Sequence, residues 1–124
     1  MTFLTFTSYY DGATQKYVDC ELIANSLVTK GTTWWHWKND TGKDVTIEYS
    51  IYNKRTDSSS DNSYGTFLYM HTSRSNFLQS TEIKSVQSSS GKTVTGTYTI
   101  PAGKWLFYFN QNNATSKVTI LFVN

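Results

Sequence analysis

The sequence predicts an all-β domain: an antiparallel β-sandwich of about eight strands, jelly-roll-like first and immunoglobulin-like as the second arrangement. Three observations predict it. Apolar and polar residues alternate with period two in one segment after another, the mark of half-buried strands. Ser and Thr make up about a quarter of the chain and aromatics 16%, a mixture suited to a pleated surface, while the strong helix formers are thin. Turn-forming clusters recur at roughly the 8–12 residue spacing of sandwiches and barrels.

Phe3, Thr5 and Thr7 oppose Leu4, Phe6 and Ser8 in a first strand, and Tyr9-Tyr10-Asp11-Gly12 supplies a reverse turn. Val18, Cys20 and Leu22 line one face of a second segment, whose continuation from Ile23 to Leu27 reads equally as a short helical turn. In residues 32–38, Trp35 and Trp37 share one face and leave Trp34 and His36 on the other. Asn39 to Lys43 is turn chemistry. The clearest strand follows, with Val45, Ile47, Tyr49 and Ile51 inside and Thr46, Glu48, Ser50 and Tyr52 outside.

Asp57 to Ser63 is a polar loop without an apolar anchor. Beyond it Thr66, Leu68 and Met70 alternate with Phe67, Tyr69 and His71. Residues 77–86 read as a less regular strand and Ser88 to Gly91 as a loop. Val94, Tyr98 and Ile100 alternate with Thr93, Thr95, Thr97 and Thr99, which gives a strand with a threonine-covered outer face. Pro101-Ala102-Gly103-Lys104 turns the chain. Trp105, Phe107 and Phe109 alternate with Leu106 and Tyr108 on the return, Asn110 to Ser116 forms an Asn-rich turn, and Val118, Ile120 and Phe122 complete the last strand. With no repeat and no compositional break, residues 1–124 read as one domain.

The phrase from Gly96 to Trp105 resembles a hairpin common in bacterial and phage surface sandwiches. It is short, and what the resemblance implies is a surface assembly rather than a particular protein.

A net charge of +2, from dispersed lysines, predicts no nucleic-acid partner, which would need a clustered basic stripe. No apolar run approaches roughly 18 residues, so no helical membrane insertion is expected. The lone Cys20 cannot close an internal disulfide and reads as a small buried hydrophobe. The N-terminus has neither a basic region nor a continuous apolar stretch, so it does not read as a signal peptide. A polar, aromatic surface without an export address fits a virion component released by lysis, a cytosolic lectin-like protein, or a domain cut from a longer chain. Virion or extracellular placement is the first expectation and cytoplasmic the alternative.

Catalytic motifs are missing. There is no Gly-x-Ser-x-Gly elbow, and His36 and His71 read as ordinary surface or packing residues on the polar faces of strands. Glu21, Glu48 and Glu82, the only glutamates, lie in separate strands rather than as an evident acid–base pair. No zinc spacing occurs, the Asp57–Asn62 loop lacks the calcium-loop pattern, and no phosphate-binding loop is present. No enzyme, cofactor or metal is therefore expected. Sequons at Asn39 and Asn113 carry weight only in a secreted chain.

The aromatics are the functional signal. With Trp35 and Trp37 in the core, Trp34 stands beside His36 on the outer face, where an exposed ring marks a contact surface. Tyr52, Tyr69 and Tyr108 form a similar outward set, each offering apolar area and a hydroxyl. The expected function is a non-enzymatic structural or binding module, first a phage virion or surface-assembly component (decoration, fibre or adhesion protein) that can self-associate. The alternative is a soluble carbohydrate-binding, lectin-like module with Trp34 and the tyrosines as stacking platforms.

Overall fold

The computed structural model describes residues 4–14, 16–22, 28–30, 34–56, 63–72, 80–111 and 113–123. Among them are ten strands: β1 (Leu4–Asp11), β2 (Lys16–Leu22), β3 (Val28–Lys30), β4 (Trp34–Lys38), β5 (Val45–Arg55), β6 (Thr66–His71), β7 (Thr81–Val86), β8 (Lys92–Ile100), β9 (Trp105–Asn110) and β10 (Ala114–Val123). The helical turn expected over 23–27, most of the polar loop at 57–63, and residues 77–79 lie outside the described residues.

Two antiparallel sheets form the layers. Sheet A has the order β2-β1-β10-β5-β8 and sheet B the order β3-β4-β9-β6-β7. From β4 onward every connection except β6–β7 carries the chain across to the other sheet. This is the jelly-roll-like sandwich that the alternation predicts. Three-residue β3 was not anticipated, and residues 16–22 form a seven-residue strand that pairs with β1 across a register shift at Tyr9/Tyr10.

The core follows from period two. In β5 Val45, Ile47, Tyr49 and Ile51 are buried while Glu48 is exposed, and in β10 Val118, Ile120 and Phe122 take the matching positions. Trp35, Trp37, Leu68, Val86, Ile100, Leu106 and Tyr108 close the core from the other strands. Tyr108 is a correction to the outward tyrosine set. It is 2% exposed, and its hydroxyl shares a 2.8 Å hydrogen bond with Ser116 Oγ, joining β9 of one sheet to β10 of the other. β9 reads Trp-Leu-Phe-Tyr-Phe-Asn, so nearly every position could serve either face. Pairing with β4 and β6 selects Leu106 and Tyr108 as the inward pair.

Buried polar clamps seal both ends of the sandwich. At one end Asn53 Nδ2 donates to the Tyr64 carbonyl at 2.7 Å and to Thr66 Oγ1 at 2.8 Å, while its Oδ1 accepts from the Ser88 amide at 2.9 Å. Thr66 Oγ1 in turn donates to Asn110 Oδ1 at 2.6 Å, and Asn110 Nδ2 donates to the carbonyls of Gln111 and Ala114. All three side chains are fully buried. At the other end Asn39, also fully buried, donates to the carbonyls of Lys43 and Ile100. That burial makes its sequon inaccessible in the folded chain.

Geometry demands glycine at several positions, two of which bear on β8 and β9. Gly103 has φ +80° in the turn before β9. Gly96, on edge strand β8, lies opposite Tyr49, and a Cβ there would sit 2.6 Å from Tyr49 Cζ. The ring covers the gap that the glycine leaves, a known way to support an edge glycine.

Replacing Asn53 with Leu should destabilise the fold by about 3 kcal/mol, because buried partners at Tyr64 and Ser88 lose their hydrogen bonds. Urea unfolding with an unchanged m-value would measure it. A loss under roughly 1 kcal/mol would refute the clamp. Gly96→Ala should cost about 1–3 kcal/mol in the same assay, through displacement of the Tyr49 ring.

Candidate functional site

The outer side of sheet B carries most of the aromatic surface. The in-register rows are Trp34–Phe109–Phe67, His36–Phe107–Tyr69 and Lys38–Trp105–His71 across β4, β9 and β6. Strand neighbours on one face lie about 4.8 Å apart and alternate residues about 6.8 Å apart, so these register positions are contiguous on the sheet. Trp34 has the register position expected of it, and its side chain lies outside the described residues.

Phe107 is the centre. The His36 ring lies 4.5 Å from it and the His71 ring 5.0 Å, edge-on. The two imidazoles are 6.3 Å apart, and His36 also meets Trp105 at 6.0 Å. Phe107, His36 and His71 are 6%, 3% and 1% exposed. The histidines thus sit on the non-core side of their strands, as the alternation implies, but they are packing residues and not solvated ones. For His36 this corrects the expectation of an outward contact residue.

Around that buried floor stand half-buried rings. Phe67 and Tyr69 are parallel at 6.0 Å, Phe107 and Phe109 at 6.3 Å, and Phe67 meets Phe109 at 5.9 Å. Phe67, Tyr69, His71, Phe107 and Phe109, with Ser80 and Gln111, line a cleft of about 530 Å³. Polar capacity is small. Gln111 Oε1 already accepts the Gly65 amide at 2.7 Å. Burial first, then the charge of Glu82, raises the pKa of Tyr69, so its hydroxyl stays protonated and able to donate.

The expected site residues therefore divide. Tyr69 lies in the cleft, Trp34 and His36 lie in adjoining register positions, and Tyr108 is in the core. Tyr52 is half-buried on the outer side of sheet A, against Gly91, and belongs to the opposite face of the molecule. Sequence reasoning missed Phe67, Phe107 and Phe109 as cleft-lining residues. Their signal was strand parity, legible for Phe67 beside Tyr69 but hidden in the aromatic run of β9.

Glu48 is on sheet A and Glu82 on sheet B, and among the described residues no group of three His, Cys, Asp or Glu side chains could hold a metal.

No protein-family description matches the chain, and no curated protein matches it. Among solved structures it is similar to the K2 cleaved adhesin domain of Lys-gingipain, at 12% identity and TM-score 0.42, over 73% of this chain. The chain spans 62% of that domain, less than two thirds of its length. It is similar to GITRL from bushbaby at 15% identity and TM-score 0.48, over 97% of this chain and 96% of that one. Cowpea mosaic virus top component, as naturally occurring empty particles, gives 9% identity and TM-score 0.43, over 99% of this chain and 76% of that one. At such values nothing these proteins bind or build transfers to this chain.

Burial lowers the pKa of His71 below its ordinary 6.5. The unfolded chain therefore takes up a proton that the folded chain resists, and stability declines as pH falls below the unfolded value. Between about pH 7.5 and about pH 5.5 the urea midpoint of the wild type should fall. His71→Phe, which keeps a ring beside Phe107, should flatten that slope. An unchanged slope would show that His71 does not carry it.

Proposed function

We propose that this chain is a non-enzymatic structural module of a phage virion or comparable surface assembly, and that the aromatic face of sheet B packs against a neighbouring copy of the chain. The observation that carries this reading is the cleft itself: about 530 Å³, on the outer side of sheet B, lined chiefly by Phe67, Tyr69, Phe107 and Phe109. Exposed apolar patches of this kind mark contact sites, and aromatic side chains dominate the centres of protein interfaces. A partner's apolar side chain gains from every ring and requires few hydrogen bonds. A sugar in the same cleft would present hydroxyls to phenylalanines, and each buried hydroxyl without a partner costs about 1–3 kcal/mol.

The non-enzymatic part of the reading is supported by the packing of both histidines. Each is packed against aromatic rings and all but closed to solvent. A general base needs reach to its substrate proton, and buried packing positions do not provide it.

Size-exclusion chromatography with light scattering tests the contact. The wild type should form a defined oligomer. Phe67→Ser combined with Phe109→Ser should return it to monomer, weakening association at least about 100-fold while the fold persists, because both rings are interface anchors. A wild type that stays monomeric at all concentrations would overturn the self-association. Glycan-array hits lost in the same double variant would replace it with the lectin-like reading.

A further inference from the structure

The outer side of sheet A is chemically unlike that of sheet B. Across three of its five strands, β10, β5 and β8, the in-register rows are Leu121–Glu48–Thr97, Thr119–Ser50–Thr95 and Lys117–Tyr52–Thr93. The middle row consists of short hydroxyl side chains between two rows that include Leu121, Glu48, Lys117 and Tyr52. The result is a depression of about 390 Å³, lined by Glu48, Ser50, Thr95, Thr97, Thr119 and Leu121 together with Tyr49 and Gly96. Glu48, Thr95 and Thr97 are exposed, and Ser50, Thr119 and Leu121 are half-buried. Among the described residues no hydrogen bond or ion pair engages the side chains of Glu48, Ser50, Thr95, Thr97 or Thr119.

We propose that this depression is a carbohydrate site that holds one neutral hexose unit. The donor set selects the ligand class. A sugar hydroxyl donates one hydrogen bond and accepts others, and the four Ser and Thr hydroxyls do the same. The Glu48 carboxylate has two acceptor oxygens and takes the protons of two adjacent sugar hydroxyls, as charge-assisted hydrogen bonds. Leu121 and the threonine methyl groups meet the sugar's C–H surface.

Other ligand classes fit less well. A phosphate or other anion would meet a carboxylate and no cation in the lining, since Lys117 stands one row away. A metal would find a single carboxylate. A protein interface centre is depleted in the Ser and Glu found here. The site also has the rigidity that recognition needs, because its residues come from ladders of ten and nine register pairs. This inference is independent of the assembly contact, which uses the opposite face.

The test is an amide NMR titration of the full chain with four probes taken separately: methyl α-glucoside, methyl β-galactoside, methyl α-mannoside and N-acetylglucosamine. At least one should give saturable shifts centred on Glu48, Ser50, Thr97 and Thr119. Glu48→Gln should raise its Kd about tenfold, the loss expected for a charge-assisted acceptor, and Thr97→Val by a smaller factor, with wild-type Tm in both. Failure of all four probes would overturn the site. So would shifts that gather on Phe67, Tyr69 and Phe109, or a Kd unchanged in both variants. None of these results alters the oligomer reading, which rests on light scattering of variants in β6 and β9.

Discussion

The constraint on which the rest depends is the repeated crossing between sheets. Each crossing brings loop backbone to an end of the sandwich, where its polar groups would be hidden from water without a partner. The Asn53–Thr66–Asn110 chain meets this demand at one end and Asn39 at the other. Asparagine suits the task because one side chain offers both a carbonyl acceptor and two N–H donors. Asn53 uses all three, holding Tyr64, Thr66 and Ser88 at once. With the ends closed by hydrogen bonds and the middle by apolar packing, neither outer face is needed to hold the two layers together.

That freedom explains how two opposite surfaces can differ so much. Sheet B turns phenylalanine, histidine and tryptophan outward, and sheet A turns threonine, serine and glutamate outward. The inner faces are alike in being apolar, so the contrast arises from the residues left over by period two. A module with one apolar face and one hydroxyl-rich face is suited to packing on one side and meeting a wet, polar ligand on the other.

Most of the architecture was legible because alternation is a direct consequence of strand geometry. Val45 to Tyr52 announced both its core and its wet face, and the alternation in β8, β10 and the Trp35/Trp37 pair was equally plain. The failures have physical causes. A three-residue strand such as β3 is too short to show a period. Tyr108 stands in a run where both faces are aromatic, so composition could not assign its direction, and only pairing with β4 and β6 does so. Asn39 read as a turn letter because the long-range partner that helps bury it, the Ile100 carbonyl, is invisible in one dimension. For the site, Tyr69 was recoverable from parity, whereas the convergence of Phe67, Phe107 and Phe109 required the order β9-β6 in the sheet.

The two faces also bear on how such a chain avoids uncontrolled association. Edge strands are templates for pairing with other chains, and β8 and β7 are the edges beside the two candidate surfaces. β8 carries Lys92, exposed threonines and a mid-strand glycine, and β7 carries Glu82 and Lys84, both exposed. Charge and glycine at these edges disfavour strand addition. Phe107 and the two imidazoles beside those rings are withdrawn from solvent, and Phe67, Tyr69, Phe109 and Trp105 stand half-buried around them. A contact through such a rim gains its energy from a few rings set on a rigid floor, the arrangement in which a small number of residues dominates association.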